Sequence, residues 1–105
     1  MNTSESITLL NKIGEIISSN ISGKWKEINV EAEIDDELAD LCVWVIDDSG
    51  NEHYPEVNSE LTYSFIELRK ISNTEEKGYW SKCMYKLLPS GKYSTEFSYE
   101  KPRWA

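Results

Sequence analysis

The chain has 105 residues, enough for one domain (1–105) around a single small core. Its 19 acidic and 11 basic residues leave a net charge of −8, which opposes binding to the phosphates of nucleic acids or membranes. Aromatic residues make up 11%, including four Trp, too much bulky apolar surface for a disordered segment.

The first ten residues carry no basic region and no small-residue cleavage site. Nowhere do about eighteen apolar residues run together, so the sequence reads as cytoplasmic. Ile7, Leu10, Ile13, Ile17 and Ile21 recur at spacings of three and four, with Leu9 and Ile16 widening the stripe. That predicts an amphipathic helix over 5–21, with Ser4 as N-cap and Gly23 as stop signal. From Trp25 to Ile34 the period becomes two. Ile28, Val30, Ala32 and Ile34 share one face and Glu27, Asn29, Glu31 and Glu33 the other, as in a half-buried strand with an acidic outer side.

A second strand is predicted from Leu38 to Asp47, where Leu41, Val43 and Val45 alternate with Cys42, Trp44 and Ile46. Both of its faces are apolar. Either it is covered twice, or Trp44 and its neighbours form a docking surface. Asp47-Asp48-Ser49-Gly50-Asn51 is turn chemistry that closes a hairpin or opens a loop through His53 and Pro55. Asn58 caps a predicted second helix to Ile71, with Leu61, Phe65 and Leu68 on its apolar side. Tyr79 to Leu88, the turn Pro89-Ser90-Gly91 and Lys92 to Tyr99 read as a closing hairpin that Pro102 ends. The order αββαββ predicts an α+β fold, a four-stranded, mostly antiparallel sheet with two helices packed on one face.

Between Lys26 and Arg69 stand thirteen acidic side chains and no Lys or Arg. Such a field steers basic protein surfaces into encounter. Asp35, Asp36, Glu37 and Asp40 lack the ligand pattern of a calcium loop, so no metal and no cofactor are expected. His53 is the sole histidine and sits in no catalytic motif. Cys42 and Cys83, each in an apolar run, read as small buried hydrophobes, and either serves as a nucleophile only if the fold brings it to His53. The expectation is that the protein is not an enzyme. Trp80, Tyr85, Phe97 and Tyr99 are assigned to the core. Trp44 and Tyr54, beside carboxylates, have the composition of an interface anchor. The candidate partner-binding residues are Asp35, Asp36, Glu37, Asp40, Trp44, Asp47, Asp48, Glu52, Tyr54 and Glu56.

The N-terminal helix, then Gly23-Lys24-Trp25-Lys26-Glu27-Ile28 and the late hairpin marked by Trp80, Tyr85, Leu87, Gly91, Lys92, Phe97, Tyr99 and Glu100, resemble the YezG-like bacterial immunity proteins over most of the chain. The resemblance implies an antitoxin that neutralises a cognate toxin domain, typically a nuclease, as in contact-dependent growth inhibition. No catalytic residue carries over. Members often extend well past the hairpin, whereas this sequence stops at Ala105, which leaves open a divergent subfamily. The resemblance and the charge together imply occlusion of a basic cleft, or of the surface adjacent to it, by a monomer in a one-to-one complex. The alternatives are an acidic adaptor for another basic protein and, further off, a small hydrolase using His53.

Overall fold

The computed structural model describes residues 3–101 and 104. Helix α1 (Thr3–Ser19) leads into β1 (Trp25–Ile34), β2 (Ala39–Asp47) and the two-residue β3 (Glu52–His53). Helix α2 (Ser59–Ile71) then precedes β4 (Lys82–Leu87) and β5 (Tyr93–Ser98). The strands pair antiparallel in the order β3-β2-β1-β4-β5. The α+β class holds, with five strands where four were expected. The added strand, β3, arises because the Asp47 turn does close a hairpin. Asp47 Oδ1 accepts the N–H groups of Ser49 and Asn51, each at 2.9 Å, and Gly50 takes the positive φ of 87° that the turn requires. Two residues are too few for alternation to announce a strand.

The period-two face of β1 is the centre of the core. Ile28, Val30, Ala32 and Ile34 are each 2% exposed or less, and burying such a side chain contributes about 1.5–3 kcal/mol. Val43 and Val45 of β2 and Cys83, Tyr85 and Leu87 of β4 extend that face, and Leu10, Ile13 and Ile17 with Leu61, Phe65 and Leu68 cover it from the two helices. Both helices lie on this one side. The Tyr85 hydroxyl donates to the Leu10 carbonyl of α1 at 3.2 Å, while Phe65 of α2 meets the Tyr85 ring edge-on at 6.1 Å. On α1, Gly14 permits the approach, since a Cβ there would lie 3.0 Å from the Tyr85 hydroxyl.

Asn58 caps α2 as its position predicts, accepting the Leu61 N–H on its side-chain oxygen at 2.7 Å. Other expectations need correction. Ser4 lies inside α1 rather than capping it. Ile7 is 49% exposed and Ser6 is buried instead, because at 3.6 residues per turn Ile7 stands roughly 90° from the stripe centred on Leu10, Ile13 and Ile17, and Ser6 within about 15° of it. A register irregularity between Trp25 and Glu27 turns Trp25 toward the core, against which it packs, although alternation alone would place it with Glu27. Trp80 is fully buried but precedes β4, resting on Phe97 at 5.6 Å. Tyr99, expected in the core, lies past the end of β5, exposed, under the Lys77 ammonium. Pro102 falls outside the described residues.

Candidate binding surface

Because both helices occupy one side of the sheet, the alternate residues of every strand form a second face that no other element of the described residues covers. Register gives its composition. Strand β1 places Glu27, Asn29, Glu31 and Glu33 there, opposite Ile46, Trp44, Cys42 and Asp40 of β2, although Asn29 and Glu33 are themselves buried. Strand β3 adds Glu52 beside Ile46. On the other flank β4 adds Lys82, Met84 and Lys86, and β5 adds Ser98, Glu96 and Ser94. Strand β2 is therefore covered once, and Trp44 belongs to the open side. Cys42 is exposed there rather than buried, and Cys83 sits on the core side. The two thiols face opposite ways across β1. Burial pushes the Cys83 thiol up to about 12, which keeps it un-ionised.

The ten residues singled out in the sequence do not form one patch. Asp35, Asp36 and Glu37 make the β1–β2 turn at one end of β2. Asp47 and Asp48 lie at its other end, roughly 27 Å away for eight strand steps. The chain itself uses the first group. Asp35 Oδ1 accepts the N–H groups of Glu37 and Leu38 at 2.8 and 2.7 Å, and Oδ2 accepts the Trp104 indole N–H at 2.7 Å. The Trp104 bond first, then the Leu38 and Glu37 amides, hold the Asp35 carboxyl below the usual carboxylate range. Asp36 takes an Arg69 N–H at 3.3 Å, and Arg69 also donates to the Trp80 carbonyl at 2.8 Å and lies over the Tyr79 ring. Asp35 shapes the turn, Glu37 lends it a backbone N–H, and Asp36 fastens α2 to the end of the sheet.

At the other end Asp47 Oδ2 is 2.7 Å from His53 Nε2. That bond, followed by the Asn51 amide, keeps Asp47 below the usual range. The pair borders a groove of about 750 Å³ shared with Ser22, Lys24, Trp25 and Tyr54. His53 stands opposite Val45, on the side facing the helices, whereas Cys42 is on the open face, so the fold does not assemble a cysteine–histidine pair. Tyr54 is 66% exposed and donates to Glu52 at 2.5 Å, and that carboxylate pushes its phenol above the ordinary value. Glu56 is exposed in the segment between β3 and α2. Among the described residues no three His, Cys, Asp or Glu side chains come close enough to hold a metal ion.

Asp40, Trp44 and Glu52 are thus the members of the predicted set that the open face brings together. The sequence reading left Cys42, Ile46, Glu27, Glu31 and Glu33 out of that set, and with them Met84, Lys82 and Lys86. The alternation of acids on β1 signals the first three glutamates. The lysines are a different matter: they enter because β4 pairs with β1, placing Lys82 Nζ 3.1 Å from Glu31 and Lys86 Nζ 3.6 Å from Glu27. Asn29 donates to Glu27 at 2.9 Å. Glu60 and Glu67, also counted in the acidic stretch, lie on α2 on the opposite side of the molecule. The thirteen acids are spread over both sides of the sheet, and the open face keeps an excess of them around Trp44, Ile46 and Met84.

No described helix is long and apolar enough to cross a membrane. The chain matches no family model, and no curated protein matches it.

Proposed function

We propose that the protein is an immunity protein, a cytoplasmic binding module that neutralises a cognate toxin domain by covering its basic cleft or the surface beside it. The observation that carries this reading is the open sheet face, where Trp44, Ile46 and Met84 are flanked by carboxylates of β1, β2 and β3 and, on β4, by Lys82 and Lys86. An interface of that composition buries its aromatic anchor and meets Lys and Arg with its rim. A nuclease needs a cationic cleft for phosphate, so it presents the complementary surface. The hairpin around Gly91 and Lys92, with its resemblance to the YezG-like immunity proteins, supports the same reading independently of charge.

Inhibition here requires no chemistry from the immunity protein. It consists of occupying space and charge that nucleic acid would otherwise occupy. The test is to purify the full chain with the C-terminal domain of the protein encoded immediately upstream, then titrate the two by calorimetry at low and high salt. One-to-one binding that weakens with salt, together with protection of cells expressing that domain, is the expected result. Absence of binding at low salt would overturn it.

A further inference from the structure

We infer that the partner's footprint is the half of the open face built by β3, β2 and β1, and that a partner surface carrying an apolar side chain among Lys and Arg docks there over Trp44 and Ile46. The inference rests on the binding reading above and says which surface is used. Three features of the face point to this half.

The first is its charge polarity. Among the open-face positions of β1, β2 and β3 the register places four carboxylates with surface exposure, Glu27, Glu31, Asp40 and Glu52, and no Lys or Arg, while Glu33 beside them is buried. The open face of β4 contributes Lys82 and Lys86. A cationic surface descending over β2 meets one sign of charge, and one descending over β4 meets two ammonium groups. The second is the position of the apolar residues. Trp44 and Ile46 are half-buried and adjacent on β2, and Cys42 beside them is exposed, so a partner can finish desolvating them. A second copy of this chain is a poor occupant, since it brings the same carboxylates against themselves.

The third is what the other acids do. Asp35 and Asp36 are engaged by Trp104 and Arg69, and Asp47 by His53 and its own turn. Asp35 and Asp47 build the two ends of the sheet, and Asp36, although its side chain is 90% exposed, stands in the turn at one end, away from Trp44 and Ile46. Lys82 and Lys86 then acquire a role. Partly exposed pairs of this kind hold loosely, so the two lysines compete with the partner's basic groups for Glu31 and Glu27 and set the boundary of the footprint.

The test uses the full chain and, as probe, the C-terminal domain encoded immediately upstream, titrated by calorimetry. Trp44→Ala is expected to weaken binding at least about tenfold, as loss of a central aromatic anchor does. Lys82→Ser with Lys86→Ser is expected to tighten it about threefold at low salt, the gain vanishing at high salt. Asp36→Lys with Glu37→Lys, at the turn, should change it less than about threefold. In the wild-type complex the Trp44 indole NMR signal should shift while that of the buried Trp80 stays, a readout independent of any variant's folding. Binding that survives Trp44→Ala with an unshifted Trp44 signal overturns the footprint and leaves the immunity reading standing. Failure of the wild type to bind at low salt overturns both.

Discussion

The two faces of the sheet share every backbone atom and differ in everything else. On one, Ile28, Val30 and Ala32 are sealed by two helices and have no exposure. On the other, Glu27 and Glu31 stand beside Ile46 and Cys42 and keep exposed surface, with no helix or strand of the described residues above them. A side chain on the covered face is fixed by close packing, where a lost methylene is felt. One on the open face is constrained by cross-strand neighbours alone, whose pairs are worth about 0.2–1 kcal/mol. The covered face therefore carries the stability, and the open face is free to carry recognition.

That division is broken most directly by comparing Phe65→Ala with Trp44→Ala in urea denaturation. Phe65 has no exposure and abuts Tyr85, so its truncation should cost about 3–5 kcal/mol, much of a small domain's total. Trp44→Ala should cost under about 1 kcal/mol if the open face contributes only pair terms. Equal losses would mean that the faces are not divided in this way.

Gly14→Ala sharpens the comparison on the covered side. The new methyl group meets a Tyr85 hydroxyl pinned by Leu10 and by stacking on Tyr93. Strain should outweigh the helix propensity gained and leave a net loss of about 1 kcal/mol. Combining it with Tyr85→Phe removes the obstructing oxygen, so the double variant should be more stable than additivity predicts. Asn58→Ala deletes the cap of α2 and should cost about 1 kcal/mol by the same denaturation measurement.

The smallest effect is at the edge of the sheet and depends on pH. The folded pKa of Asp47 is depressed, chiefly by His53. Its contribution is therefore present above the unfolded carboxylate value near pH 4 and is lost as pH falls through the folded value. Asp47→Asn should flatten the acid limb of a melting-temperature-versus-pH curve and leave the curve above about pH 6 parallel to that of the wild type.

Features governed by near neighbours are legible in the sequence. The alternation of Ile28, Val30, Ala32 and Ile34 names the buried side of β1, Asn58 announces α2, and Pro89-Ser90-Gly91 marks the last hairpin. What is not legible depends on which strands become neighbours. Alternation says that a residue faces in or out, but not that β1 lies between β2 and β4. Without that order Lys82 and Lys86 cannot be placed against Glu31 and Glu27, and the acidic stretch reads as more uniform than the face it builds. In β2 both alternating sets are apolar, so the pattern carries no sign of which set is covered until the helices are seen on one side. Trp80 illustrates a further limit, because a residue buried from an irregular segment leaves no periodic trace.

The central position of β1 also sets the order in which the molecule can be finished. Val30 pairs with Val43 on one side and with Tyr85 on the other, so one edge of the innermost strand waits for a segment made well after it. A ribosome adding about 5–20 residues per second delivers β4 a few seconds after β2. During that interval Ile28, Val30 and Ala32 have a hairpin and two helices but an unpaired flank. Cys83, Tyr85 and Leu87 close it. A later segment thus seals an earlier one, and a nascent chain halted before Lys82 keeps an adhesive edge where the folded domain has an interior strand.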